Sequence, residues 1–148
     1  MPTQVQESIT INQSVEKVFA FLTDSRNITK WQPDIIEYKA SVEGPAQVGT
    51  QVTDVRTIIL GQKMESVYEI TAVEPNERMS IKSISGPVPY QSNFLFEPES
   101  SSASKLTISA EIEPTGFFKL VEGMLIGALR KQLETELVAV KQILETGG

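Results

Sequence analysis

Neither cysteine nor histidine occurs anywhere in the 148 residues. Without cysteine there can be no disulfide and no thiolate nucleophile. Without histidine there can be no Ser-His or Cys-His catalysis, and the usual zinc ligands are missing. A metal would need a cluster of carboxylates, and none of the 19 acidic residues has the spacing of a calcium loop. Neither a metal nor a cofactor is therefore expected. The 13 basic residues form no dense cluster and the net charge is −6. A nucleic-acid or anionic-membrane partner would need clustered positive charge, so neither is expected. No apolar run approaches the roughly 20 residues of a membrane helix. The opening Met1-Pro2-Thr3-Gln4-Val5-Gln6-Glu7 has no basic region leading into an apolar run, so it does not read as a secretory signal and the cytoplasm is the expected location. Asn12-Gln13-Ser14 and Asn27-Ile28-Thr29 match the glycosylation pattern, and read as coincidence in a chain without secretion.

What the chain does have is the composition of a folded domain, with 40% apolar and 22% charged residues. Its length suits one domain with one core over 1–148. The most informative stretch closes the chain, a helix expected from about Phe117 to Glu145. In its second half Leu129, Leu133, Leu137, Val140 and Leu144 recur at spacings of three and four, the stripe of an amphipathic helix. Its first half is apolar almost all round, so it needs cover on most sides, from core, ligand or partner. That asymmetry predicts a helix gripped by a curved sheet, with a cavity near its N-terminal half. Gly123 and Gly127 would give either close approach to the sheet or room for a ligand, and Arg130 and Lys131 read as a solvated face.

Ahead of that helix, Gln4 to Asn12 reads as a strand. Ser14 is placed to cap a helix through Leu22, and Asp24 to cap a second short helix that ends near Trp31 and is broken by Pro33. Strands are expected at about Ile35–Val42, Thr50–Leu60, Lys63–Val73, Arg78–Ile84, Tyr90–Phe96 and Lys105–Ile112. Short turn signals separate them, which implies an antiparallel meander. The serine-rich segment 100–104 reads as a mobile hairpin loop. If Gly61-Gln62 is a two-residue turn, Leu60 pairs with Lys63, Ile59 with Met64, Thr57 with Ser66, Val55 with Tyr68 and Thr53 with Ile70. Asp54 and Arg56 then lie with Glu65 and Glu69 on the solvent face, and the inner face is apolar with a few hydroxyls. The same alternation turns Met79, Ile81, Tyr90, Ser92, Phe94, Phe96, Leu106 and Ile108 inward.

The order of elements and the local sequences resemble the START-like, or SRPBCC, superfamily, and within it the polyketide cyclase/dehydrase-like branch. The resemblance rests on Ile9-Thr10-Ile11, then Val15 to Asp24, then Trp31-Gln32-Pro33. Val48-Gly49-Thr50 and the Val73 to Met79 segment add to it. It covers nearly the whole chain. The implied fold is the α+β helix-grip: a curved antiparallel seven-stranded sheet wrapped around a long C-terminal helix, with two short helices after the first strand. The implied site is a deep cavity between sheet and helix for a hydrophobic or amphipathic small molecule. No catalytic motif of the family carries over residue by residue, since one fold hosts many functions.

Three functions compete. In the first, the chain binds a lipid-, polyketide- or aromatic-like molecule without catalysis, as a monomer or homodimer. The expected contacts are Val55, Thr57, Met64, Ser66, Tyr68, Met79, Ile81, Tyr90, Ser92, Phe94, Ile108, Phe117, Val121 and Met124. Tyr68 and Tyr90 are singled out because a buried phenol needs a partner. In the second, the chain is a cyclase or dehydratase, which needs an acid or base in reach of the substrate. The inner face read above offers only phenols and hydroxyls, so no catalytic residue is assigned, unless a carboxylate such as Asp34, Glu37, Asp54, Glu97 or Glu111 turns inward. In the third, the chain is a protein-interaction module using the apolar first half of the last helix. Trp31 reads as a packing anchor in all three, with stacking on a ligand as the alternative.

Overall fold

The computed structural model describes residues 3–57, 61 and 63–146. β1 (Thr3–Ile11) leads into α1 (Val15–Thr23), a turn of 3-10 helix (Ser25–Asn27) and α2 (Ile28–Trp31). Six strands follow: β2 (Ile35–Ala40), β3 (Gln51–Thr57), β4 (Lys63–Glu74), β5 (Arg78–Ser85), β6 (Tyr90–Ser100) and β7 (Ala103–Ile112). The chain closes with α3 (Phe117–Leu120) and α4 (Glu122–Glu145). Side-chain capping sets the early helices. The Ser14 hydroxyl accepts from the Lys17 N–H, and the Asp24 carboxylate accepts from the Arg26 N–H. Ser14→Ala should cost about 1 kcal/mol in urea denaturation, because it strands one N-terminal donor of α1.

The strands form one antiparallel sheet in the order β1-β7-β6-β5-β4-β3-β2. β2 to β7 are a plain meander, and β1 returns to pair with β7, from Thr3 opposite Ile112 to Ile11 opposite Ser104. The sheet curls around α4, whose buried Leu133, Leu137 and Val140 pack with Val5, Ile11, Leu106 and Ile108. This is the helix-grip arrangement. The serine segment is tighter than expected. β6 and β7 stay paired out to Ser100 and Ala103, which leaves only a short turn between them.

Two expectations fail. The closing helix is not continuous. Val121 leaves helical geometry at φ −111° and ψ 27°, which separates α3 from α4. The apolar first half is also not wrapped on all sides, since Leu120 is 86% exposed and Met124 52%. Gly123 and Gly127 face open space, so they do not serve close approach to the sheet, and neither borders a cavity. The second failure is the register of β3 on β4. Thr57 pairs with Lys63, Arg56 with Met64, Asp54 with Ser66 and Val52 with Tyr68. The offset from the expected register is three positions, an odd number, so every β3 side chain changes face. The expected pairs at Leu60 and Ile59 lie outside the described residues.

Candidate functional site

The reversal of β3 decides what the site contains. Between the concave sheet, α2 and α4 lies a cavity of about 140 Å³, room for roughly ten waters or the body of a small organic molecule. One part of its wall is apolar, with Met64, Val88, Phe94, Ile108, Ile112 and Leu125 among its residues. The other part is ionic. Arg56 and Asp54, two residues apart on β3, both face inward, and Arg56 reaches Glu136 of α4. Arg56 Nη2 lies 2.8 Å from Asp54 Oδ2 and donates to Gln32 Oε1 at 2.7 Å, while Nη1 is 3.7 Å from Glu136 Oε2. Gln132, one turn earlier on α4, donates to that same Glu136 oxygen at 3.0 Å. Glu136 Oε1 has no hydrogen-bond partner among the described residues.

Burial sets the electrostatics of this group. Glu136 is only 4% exposed. Loss of hydration pushes its carboxyl up from the ordinary 4.5 to about 7, against the pull of Arg56 and Gln132. Burial opposes the charge on Arg56, but the Asp54 and Glu136 carboxylates outweigh it and hold the guanidinium above its ordinary value. The cluster therefore keeps a permanent cation beside a carboxyl that gains and loses its proton near neutrality.

The phenols stand on the neighbouring inner rows. Tyr68 and Tyr90 have ring centroids 6.4 Å apart, and the Tyr90 hydroxyl lies 3.3 Å from Ser66 Oγ. Desolvation raises Tyr90 to about 12 and Tyr68 well above its ordinary value. Both stay protonated across the physiological range, and so act as donors rather than bases. Trp31 is 1% exposed, so it anchors the core while also bordering the cavity. Its indole N–H has no partner among the described residues.

Nine of the sequence-expected contact residues border the cavity: Met64, Ser66, Tyr68, Met79, Ile81, Tyr90, Ser92, Phe94 and Ile108. Five do not. Val55 and Thr57 sit on the outer face of β3, opposite Glu65 and Lys63, because of the register change. Phe117 and Met124 are largely exposed, and Val121 packs beside the minor cluster of Val88, Ile112, Phe118 and Leu125. The inner face is also not free of carboxylates, as had been expected, since Asp54 and Glu136 are both there. The signal for Glu136 was in the sequence. It falls three residues after Leu133 and four before Val140, on the apolar stripe of α4. Asp54 and Arg56 carried a weaker one, as opposite charges at the two-residue spacing that shares a strand face. Among the described residues no group of three or more acidic side chains is placed to hold a metal ion, and no helix is long and apolar enough to cross a membrane.

Residues 2–145 match the family model described as "Polyketide cyclase / dehydrase and lipid transport". Among curated proteins no match is found. Several solved structures share the fold at low identity. A protein from Thermus thermophilus, TTHA0849, is 16% identical with a TM-score of 0.84, over 99% of each chain. The Zhui aromatase/cyclase of Streptomyces is 13% identical with a TM-score of 0.84, over 98% of this chain and 94% of that one. A START superfamily protein of Mycobacterium smegmatis is 17% identical with a TM-score of 0.68, over 95% and 98%.

Proposed function

Because the chain belongs to the polyketide cyclase/dehydrase and lipid transport family, we propose that its cavity binds an amphipathic small molecule and that Glu136 exchanges a proton with it. The reading takes residues 1–148 as one domain, working as a monomer or homodimer. The carrying observation is the Glu136 carboxyl: it lies on the cavity wall, is almost fully buried, and is pushed up to about 7. A group that titrates near the working pH is the best compromise between holding a proton and releasing it. Ionised, Glu136 takes a proton from carbon beside a carbonyl. The Tyr68 and Tyr90 hydroxyls, kept protonated by burial, are suited to stabilise the oxyanion that results. This is the proton transfer on which cyclisation and dehydration of carbonyl compounds depend. Such chemistry needs a carbonyl in the ligand, which an aromatic or polyketide-like molecule supplies and a simple hydrocarbon tail does not, and an aromatase/cyclase is among the proteins that share this fold.

A probe that needs no knowledge of the natural substrate is 2-tetralone, a bicyclic ketone with exchangeable protons beside its carbonyl. In deuterated buffer the protein should accelerate loss of those proton signals in NMR. Glu136→Gln should lower that rate about hundredfold while leaving the dissociation constant within a few fold. A second reading, binding without chemistry, draws on the way Arg56 is already paired with Asp54 and hydrogen-bonded to Gln32, which leaves a polar end to the cavity whose charge is spent on the protein itself. Saturable binding of the ketone with no acceleration by the wild-type protein would favour it and remove the catalytic role.

A further inference from the structure

A second cavity, of about 30 Å³, lies beside the first. It sits under the end of α1, the 3-10 turn and the connection from β2 to β3. Four residues, Ile28, Tyr68, Met79 and Ile81, border both cavities and so form the wall between them. The polar side chains around the smaller space are largely spent on the protein itself. The Thr23 hydroxyl donates to the Phe19 carbonyl, Asp24 is held by Arg26, and the Ser25 hydroxyl accepts from the Gly44 N–H. The Tyr38 phenol lies against that of Tyr68. What remains for an occupant is apolar: Leu22, Val42, Pro45, Ala46, Val52 and Ile70.

We propose that the smaller cavity is a subsite for an apolar substituent of the bound molecule and that Met79 is the residue that closes it, so setting the length of ligand the protein accepts. The inference rests on the binding part of the function proposed above. It names the apolar end of the ligand, where the Arg56 and Glu136 cluster names the polar end. Of the four wall residues, Ile28 is fixed in α2 and Ile81 is β-branched and stiff about its first torsion. Tyr68 is a rigid ring. Met79 is unbranched with three rotatable bonds, and is the one that can swing aside without moving the backbone. It sits in mid-sheet, paired with Val73 and Phe94, so its own backbone is held on both sides.

A series of 4-alkylphenols from ethyl to decyl, titrated calorimetrically, tests this. Affinity should rise with chain length and then fall once the tail meets Met79. In Met79→Ala the optimum should move to a tail about two or three carbons longer, with about a tenfold gain for two newly buried methylenes. Adding Ala46→Leu refills the smaller cavity and should return the optimum to its original length. Val140→Ala removes bulk from the core on α4, outside both cavities, and should leave the optimum in place. Thermal melts establish that each variant is folded, and Met79→Val serves as a milder truncation. An unmoved optimum in Met79→Ala and Met79→Val overturns the subsite alone, as does a shift that Ala46→Leu fails to reverse or that Val140→Ala reproduces. Phenols that bind neither the wild type nor any variant overturn the binding reading, and the subsite with it.

Discussion

Arg56→Leu is expected to destabilise the protein by about 3–5 kcal/mol near neutral pH, the range found when one member of a buried ion pair is removed. The Arg56 side chain is 13% exposed, and those of Asp54 and Glu136 are each 5% exposed. Solvent therefore screens the group weakly. Taking away the guanidinium leaves two carboxylates facing one cavity without a counter-charge, and leaves the Gln32 side chain without the donor it now accepts from. The defect should shrink on mild acidification, because a carboxyl that takes up a proton no longer repels its neighbour. It should also shrink in the double variant Asp54→Asn/Arg56→Leu, which removes charge of both signs. Urea denaturation near neutral pH and at mildly acidic pH measures all three. A loss under about 1 kcal/mol, as found for exposed pairs, would mean that water reaches the cluster freely and that its charges are not coupled.

Glu136→Gln acts in the opposite direction. In the unfolded chain the carboxyl titrates at its ordinary 4.5, and in the folded protein at about 7. Between those values the folded state holds more protons than the unfolded state, so stability falls as pH rises through the window. Below 4.5 the carboxyl is protonated in both states and Glu136 buries no charge. Above about 7 the whole cost is present: a displacement from 4.5 to about 7, at about 1.4 kcal/mol per pH unit, is at most about 3 kcal/mol. The glutamine variant keeps the size and polarity of the side chain and cannot ionise. It should be the more stable protein above pH 7 and should lack this part of the wild-type slope. Denaturation midpoints followed across the window give the answer, and parallel curves for the two proteins would show that Glu136 is not the group responsible.

The elements themselves were readable because each rests on local signals: Ser14 and Asp24 as caps, alternation in β5 to β7, and the stripe on α4. What misled was a rule applied at one turn. Gly61 does take a positive φ of 70°, as a turn there requires, but a two-residue turn at Gly61-Gln62 implies a register that puts Asp54 and Arg56 in water, and the described pairs of β3 with β4 do not follow it. The rule that charges stay outside fails where charges satisfy one another, and here the partner that makes the inward register tolerable is Glu136, some eighty positions away in the chain. No local pattern reports such a pairing. The candidate site was therefore legible on β4 to β7, where alternation alone decides the inner face. It was illegible on β3, where a long-range ion cluster decides it. The first turns of the closing helix failed for a related reason: apolarity all round says that cover is favourable, and does not say that the same chain provides it.

The pairing of β1 with β7 has a consequence for the time course of folding. Ile11 finds Ser104, 93 positions later, and Thr3 finds Ile112, 109 positions later. Every other strand pair joins neighbours in the chain. The meander can assemble hairpin by hairpin, but its last join must wait until a loop of about a hundred residues has closed, and such non-local pairings slow folding. Until then β7 presents a free edge rich in alternating apolar residues, the kind of edge to which another chain can add. The same edge, once covered by β1, is the middle of a finished ladder. Refolding at rising protein concentration should lose yield at this step before any other.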